Sequence, residues 1–240
     1  MDRHLGLSPA RAAAARAEQA WNARRLRASP RPAWRLWRYP QPALVLGAAQ
    51  HALHEQADRA VLDVLRRRAG GGAVLVGPWM IGLSVALPAS HPLAGNGLLC
   101  AYRWLGEALA RALSFHGVQC EALAPRQLQG RPREPADWAC FGSLSPWEVL
   151  CQGRKIAGLA QARTGDAVLL VAGVLLRPPH WELLCRALRQ PETQARRLRQ
   201  ASIDWEQAAA GAAQAPAEVE QRIRARLRAE LAASLRAARA

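Results

Sequence analysis

The feature that most constrains the fold is a series of short apolar segments that end at glycine or proline turns. The longest, Ala167–Leu176, follows a Thr-Gly-Asp turn at 164–166 and ends before Pro178-Pro179. Apolar segments of this length between turn residues are typical of buried strands. Because ten residues are too few to span a bilayer, this segment predicts no transmembrane helix.

Similar segments predict six further strands and several helices. The strands are Leu44–Leu46, 73–76, Ile81–Leu87, Val118–Ala122, Trp147–Cys151 and Lys155–Ala160, with a hairpin turn at Gln152-Gly153. Helical spacing of apolar residues predicts helices over Gln50–Leu65 and Leu98–His116, and from Trp181 to the end of the chain. Regular alternation of strand and helix is missing. The sequence therefore predicts an α+β fold with a mixed, largely antiparallel β-sheet flanked by helices.

Both ends of the chain are rich in arginine and alanine. We predict a helical N-terminal extension over residues 1–29, in which the helix begins near Ser8 with Pro9 in its first turn. Residues 30–190 form the predicted central domain, and residues 191–240 a helical C-terminal tail. Apolar residues recur at every fourth position from Val219 to Leu235, which indicates a helix packed on the body.

The charge balance is strongly basic, with 33 Lys and Arg against 18 Asp and Glu and a net charge of +15. Such a balance fits nucleic acid, an anionic membrane surface or an acidic protein partner. However, every basic residue except Lys155 is arginine, and alanine is also abundant, which indicates compositional bias. We therefore expect no nucleic acid and no membrane as a partner.

The five cysteines lack the paired spacing of a zinc site, so no metal site is predicted. Residues 1–28 contain no apolar core of the kind that a secretory signal has. An odd number of cysteines without such a signal indicates reduced thiols and a cytoplasmic location.

Three local features contain residue types suited to binding or reaction. The segment Arg66–Val76 has three consecutive glycines after a cluster of arginines. Glycine lets the backbone present N–H groups to an oxygen anion, and arginine holds phosphate or carboxylate. A plain turn between a helix and a strand explains the same residues equally well.

The other two features are single residues. Lys155 lies beside the hairpin turn, and a lysine retained in an arginine-saturated chain fits a site that needs a compact point charge. Chance placement accounts for it too. Cys140, in the sequence Ala139-Cys140-Phe141, is by itself typical of a core residue, whereas near a lysine it becomes a candidate nucleophile.

Together these features resemble the lipoate–protein ligase A and octanoyltransferase family, whose catalytic domain is shared with biotin protein ligases. The matching stretches are Arg66–Val74 (RRRAGGGAV), Ala139–Arg163 and Val168–Leu176, with a weaker match at Leu44–Gln50. The resemblance implies that residues 30–190 have the fold of class II aminoacyl-tRNA synthetases and biotin ligases and bind an acyl chain in a tunnel.

The resemblance also implies roles for single residues. Lys155 would contact the reactive carbonyl or a phosphate, and Cys140 would be the nucleophile of a cysteine-dependent octanoyltransferase. The implied substrate-binding residues are Arg67, Arg68, Gly70, Gly71, Gly72, Ala73, Val74, Gly158 and Ala160.

The chain departs from the family pattern at polar positions. Ala69 stands where Ser or Thr is usual. Val76, Gly77 and Met80 stand where the family has His, Asp and, in the ligases, Asn. Ala172 replaces a His. Since these changes remove polar contacts to an adenylate and to magnesium, they disfavour an ATP-dependent ligase.

Three hypotheses follow from the resemblance. In the first, Cys140 takes an octanoyl or lipoyl group from acyl carrier protein as a thioester, and no cofactor is required. The acceptor is then a lysine of a lipoyl domain of a 2-oxoacid dehydrogenase or of the glycine-cleavage H protein. The second is a lipoate ligase that needs ATP and Mg²⁺, and the third is an acyl-binding protein without turnover.

Overall fold

The structure, a computed structural model, describes residues 12–95, 97–115, 117–130, 136–210 and 215–238. Its helices are α1 (Ala13–Arg27), α2 (His51–Gln56), α3 (Leu98–Leu113), α4 (Trp181–Ala187), α5 (Glu192–Ala201), α6 (Trp205–Ala208) and α7 (Pro216–Ala237). Its strands are β1 (Ala33–Arg38), β2 (Ala43–Leu46), β3 (Val64–Arg66), β4 (Val74–Val76), β5 (Met80–Pro88), β6 (Cys120–Ala122), β7 (Val149–Cys151), β8 (Arg154–Arg163) and β9 (Ala167–Leu175). Short 3₁₀ turns lie at Pro92–Ala94, Pro125–Leu128 and Cys140–Gly142.

The described strands form two sheets. The larger has the order β1-β5-β9-β8-β7-β6, and each neighbouring pair in it is antiparallel. In the smaller, β2 lies between β3, which is parallel to it, and β4, which is antiparallel. The predicted α+β fold with a largely antiparallel sheet is confirmed, and the most apolar segments of the sequence form β5 and β9, two adjacent interior strands of the larger sheet.

The larger sheet is covered on both faces. Helix α1 packs against β5 and β9 on one face, and α3 covers β7 and β8 on the other, with α7 packed on α3. The apolar stripe of α7 is buried at Val219, Ile223, Leu227 and Leu231, which confirms the predicted packing of this helix. No helix in the described part of the chain combines the length and the apolar character that crossing a bilayer requires.

The predicted helix over Gln50–Leu65 is wrong beyond its first turns. Helix α2 ends at Gln56, and Ala57 already has an extended backbone. The side chain of Asp58 accepts a hydrogen bond from the N–H of Ala60 (2.9 Å), a local turn that competes with helix formation. Further on, Val64–Arg66 pairs with β2, so the last residues of the predicted helix form a strand.

The C-terminal region is also less continuous than predicted, since its described residues form four separate helices, α4 to α7, in place of one helical stretch. Between α5 and α6, the N–H of Ile203 donates to the carbonyl of Lys155 (3.0 Å), which fastens this region to β8. The predicted helix start at Ser8 and Pro9 and the predicted helix end at His116 lie outside the described residues. The domain boundaries after residues 29 and 190 stay a prediction.

Helix α1 contributes to the core. Trp21 packs edge-on against Trp37 of β1, with ring centroids 6.2 Å apart. Glu18 is buried and accepts a hydrogen bond from the hydroxyl of Tyr39 (2.7 Å). Burial raises the pKa of the Glu18 carboxyl to about 7, although the bond from Tyr39 and the charge of Arg67 oppose the rise. The fold therefore favours the protonated carboxyl.

This burial predicts a pH dependence of stability. The pKa of Glu18 rises from about 4.5 to about 7 on folding. Its contribution to the unfolding free energy is therefore fully present below pH 4.5 and is lost as the pH rises through 7. The loss is roughly 3 kcal/mol of unfolding free energy. Urea titrations from pH 4.5 to 8 measure the slope of the unfolding free energy against pH. The variant Glu18→Gln should flatten this slope, because its amide does not titrate. The variant Glu55→Gln, at an exposed position of α2, should leave it unchanged, and an equal slope in wild type and Glu18→Gln would contradict the assignment.

Candidate active site

Two segments that lie far apart in the sequence meet beside the larger sheet. The N–H of Ala73 donates to the carbonyl of Trp138 (2.8 Å), and the N–H of Cys140 donates to the carbonyl of Ala73 (2.9 Å). A Cβ at Gly72 would lie 2.7 Å from the nitrogen of Cys140, so only glycine fits there. These contacts place the glycine loop, residues 70–72, directly against Cys140.

Arg67 shapes the glycine loop from within. Its guanidinium donates to the carbonyls of Gly70 (2.7 Å), Gly72 (2.8 Å) and Val45 (3.2 Å). Within the loop Gly71 has a φ of 86°, a left-handed conformation that favours glycine. Arg67 is buried, which lowers its pKa, and its donors bind backbone oxygens of the protein. The structure thus gives Arg67 a loop-holding contact, and its role toward substrate stays a prediction.

The buried side chain of Lys155 approaches the side chain of Cys140. Its ammonium nitrogen lies 3.9 Å from the sulfur of Cys140, and it donates to the carbonyls of Cys140 and Ser143. A third partner is Glu148, whose carboxylate oxygen lies 2.6 Å from the ammonium nitrogen. The side chains of Lys155 and Glu148 are only 2% and 3% exposed, so the ion pair has almost no access to water.

Glu148 is held in turn by the backbone. Its two carboxylate oxygens accept hydrogen bonds from the N–H groups of Ser145 (2.7 Å) and Leu159 (3.3 Å). Burial raises the pKa of Glu148, and the charge of Lys155 together with these bonds opposes the rise. Sequence reasoning missed this residue. The signal was present, because Glu148 is the single charged residue in the apolar segment Trp147–Cys151.

Gly158 provides the space in which the sulfur lies. A Cβ at this position would lie 2.7 Å from the Cys140 sulfur and 3.2 Å from Cε of Lys155. A pocket opens from here along the sheet face that α1 covers, and its lining is mainly apolar. The lining residues are Glu18, Gln19, Asn22, Tyr39, Val45, Arg67, Val74, Val76, Met80, Cys140, Phe141, Gly158, Leu159, Ala160, Val171, Ala172 and Gly173.

The residues predicted for the site are therefore placed unequally. Cys140, Lys155 and Gly158 meet at one point, and Arg67, Val74, Cys140, Gly158 and Ala160 line the pocket. Gly70, Gly71, Gly72 and Ala73 form the loop that supports it, whereas Arg68 is exposed. Sequence reasoning also missed Glu18 and Asn22, because it assigned α1 to an extension outside the central domain, and it missed Tyr39, which no motif singled out.

The close approach of Gly158 to the sulfur predicts that a methyl group there shields the thiol. In Gly158→Ala, alkylation of Cys140 by iodoacetamide should slow by about tenfold or more, as measured by peptide mass spectrometry. Gly165→Ala is the matched control, since a Cβ in that turn meets no atom within 4 Å. Equal alkylation rates in both variants would contradict the packing described here.

The buried ion pair predicts a non-additive effect on stability. Lys155→Met leaves the Glu148 carboxylate without its counter-charge and should lower the unfolding free energy by about 3–5 kcal/mol. The double variant Lys155→Met/Glu148→Gln should recover a large part of that loss, because no uncompensated charge remains. Chemical denaturation of wild type, both single variants and the double variant measures the coupling. Additive losses would show that the pair is not formed.

Comparisons with known proteins agree with this architecture. The family model of the lipoyl protein ligase A/B catalytic domain matches residues 11–215. Solved structures with the same fold include a lipoate-protein ligase A bound with ATP, at 19% identity and a TM-score of 0.64, which covers 90% of this chain and 81% of the other. A putative lipoate protein ligase from T. acidophilum has a TM-score of 0.65 at 16% identity, over 92% of this chain and 80% of the other.

Curated relatives include octanoyltransferases LipM. The one from Moorella thermoacetica is 34% identical over 149 residues, which are 60% of this chain and 54% of the relative. That from Kyrpidia tusciae is 34% identical over 175 residues, which are 70% of this chain and 63% of the relative. The chain thus spans between half and two thirds of the length of these relatives. Because the family model covers most of the chain, this protein belongs to the lipoyl protein ligase A/B catalytic domain family.

Proposed function

We propose that this chain transfers an octanoyl or lipoyl group, with Cys140 as the covalent carrier. The observation that carries the proposal is the position of the Lys155 ammonium, 3.9 Å from the Cys140 sulfur at one end of a largely apolar pocket. A thiol gives the nucleophile, an ammonium gives the charge that stabilises an oxyanion, and apolar walls suit an acyl chain. The curated relatives named octanoyltransferase support the same activity.

The first half-reaction loads Cys140. Its thiol loses a proton, and the sulfur attacks the carbonyl carbon of an acyl thioester on acyl carrier protein. The oxyanion that forms faces the Lys155 ammonium, which Glu148 and two backbone carbonyls hold in place. The bond to the carrier sulfur breaks, the carrier thiol takes the proton, and an acyl-Cys140 thioester remains.

The second half-reaction delivers the acyl group. The amine of a lysine on a lipoyl domain, or on a glycine-cleavage H protein, attacks the thioester, and an amide bond forms. The Cys140 sulfur leaves and takes a proton from the amine. The net charge of +15 supports this assignment of partners, because a basic surface speeds the encounter with acidic carrier proteins.

The transferase proposal requires no ATP, because the thioester donor is already activated. A ligase would instead adenylate free lipoate and would need polar groups around the adenylate and magnesium. The residues that face the pocket from β4 and β5 are Val74, Val76 and Met80, which offer apolar surface. This lining supports the thioester route over the ligase alternative.

The proposal predicts a covalent intermediate on one cysteine. Incubation with octanoyl-acyl carrier protein, without ATP, should add one octanoyl group that hydroxylamine releases, as read by intact mass spectrometry. Cys140→Ala should abolish the adduct, because the nucleophile is gone. Cys100→Ser is the matched control, since Cys100 is exposed and should be dispensable.

Three other outcomes would contradict this proposal, and two of them would identify a different function. An adduct that persists in Cys140→Ala would overturn Cys140 as the carrier. Labelling of an apo-lipoyl domain by free lipoate only when ATP and magnesium are added would establish the ligase. Tight binding of octanoate without transfer to any carrier would establish a non-catalytic acyl-binding protein.

A further inference from the structure

A second cavity lies beside the turn that carries Cys140, and the candidate site described above does not use it. Its walls are residues 141–144, the hairpin tip at residues 153–154, and Arg197 and Gln200 of α5. We call it the arginine pocket. Its volume is about 420 Å³, which lies in the range of about 300–1,000 Å³ that small-molecule sites occupy.

The turn of the nucleophile separates the arginine pocket from the largely apolar pocket at Cys140. Cys140 lines the apolar pocket, Gly142 and Ser143 line the arginine pocket, and Phe141 lines both. Because a 3₁₀ turn rises by about 2 Å per residue, Ser143 lies roughly 6 Å along the chain axis from Cys140. The carbonyl of Ser143 also accepts a hydrogen bond from Lys155 (3.0 Å). A ligand in the arginine pocket would therefore contact the same turn that positions the sulfur.

Two arginines supply this pocket with positive charge. Arg154 is half-buried and donates to the carbonyl of Ser202 (3.4 Å), and Arg197 is exposed on α5. Arg199, on the same helix, is ion-paired with Glu182. By contrast, neither Arg154 nor Arg197 has a carboxylate oxygen within 4 Å in the described part of the chain. Guanidinium groups without a counter-charge from the protein suit a phosphate, whose oxygens match their geometry.

The rest of the lining indicates a ligand larger than a phosphate ion. Ser143 contributes a hydroxyl and Gln200 a side-chain amide, and both groups donate and accept hydrogen bonds. Such neutral groups are the partners that amides of a ligand need when they leave water. The arginine pocket thus combines charge for a phosphate with hydrogen-bonding groups for an amide-containing chain.

The donor of the proposed reaction has this chemistry. In an acyl carrier protein the acyl group is joined through its thioester to a phosphopantetheine arm, a flexible chain with amide groups that ends in a phosphodiester. The acyl chain and the arm extend from opposite sides of the thioester. An acyl chain in the apolar pocket therefore leaves the arm to be bound elsewhere, and the arginine pocket lies directly across the turn.

We infer that the arginine pocket binds the phosphopantetheine arm of the acyl donor, with Arg154 and Arg197 on its phosphate. The inference rests on the proposed function, since it assigns the binding site of the donor in that reaction. It gives donor binding to α5, which lies in the region that the sequence assigned to a tail outside the central domain.

The test compares two probes that differ only in the phosphate, S-methyl phosphopantetheine and S-methyl pantetheine, whose blocked sulfur cannot react with Cys140. In titration calorimetry, wild type should bind the phosphorylated probe about tenfold more tightly. The double variant Arg154→Gln/Arg197→Gln should bring the two affinities within about twofold of each other. Arg196→Gln is the matched control. It removes the same charge from an exposed position of α5 outside the pocket, and it should keep the preference.

The binding series separates this inference from the proposed function. Equal affinity of wild type for both probes would overturn the arm site, even where octanoyl-Cys140 forms. An equal loss of preference in Arg196→Gln would overturn it too, because general attraction by the basic surface would then explain the binding. AMP that displaces the phosphorylated probe and binds more tightly would assign the pocket to a nucleotide instead.

A phosphate preference that the double variant removes would establish the arm site, even where no thioester forms on Cys140. If the double variant does not fold, the single variant Arg197→Gln decides the question, because this side chain is exposed. An unchanged preference in that variant would overturn the role of Arg197 in the pocket.

Discussion

The buried ion pair between Lys155 and Glu148 is the interaction on which the candidate site depends. A lysine that is 2% exposed is tolerable only when its charge and its N–H donors are satisfied, and here a carboxylate and two backbone carbonyls satisfy them. These partners belong to two segments: Glu148 directly precedes β7, and the two carbonyls belong to Cys140 and Ser143, in and directly after the 3₁₀ turn. One side chain therefore ties the turn of the nucleophile to the sheet and sets the direction in which its ammonium points.

Glycines, which have no side chain, determine the rest of the geometry of the site. Gly72 allows the glycine loop to touch the backbone of Cys140, and Gly158 leaves space for the sulfur. The same lack of side chains continues across β9 and β5, so one row of glycines connects the nucleophile with Tyr39. Helix α1 then covers this strip and adds a buried carboxyl to its far end. Helix α1 thus contributes part of the lining of the candidate site.

Sequence reasoning found the parts of this structure that are local. The strands at 81–87 and 167–176 and the helix at 219–235 follow from apolar periodicity, and a motif resemblance brought Cys140 and Lys155 together. It missed the residues whose role depends on which elements lie side by side in the folded chain. Glu148 becomes important because β7 lies beside β8, and Glu18 because α1 lies over the sheet. The helix predicted over Gln50–Leu65 was wrong because the turn at Asp58 and the pairing of Val64–Arg66 with β2 prevailed over helical spacing.

The most direct test of this account is a crystal structure of the protein after reaction with an octanoyl thioester donor. The proposed transfer predicts continuous density from the Cys140 sulfur, with the acyl oxygen toward the Lys155 ammonium and the chain in the pocket lined by Val74, Val76 and Met80. Density for the chain on another cysteine, or for a chain that leaves Cys140 away from the sheet, would contradict it.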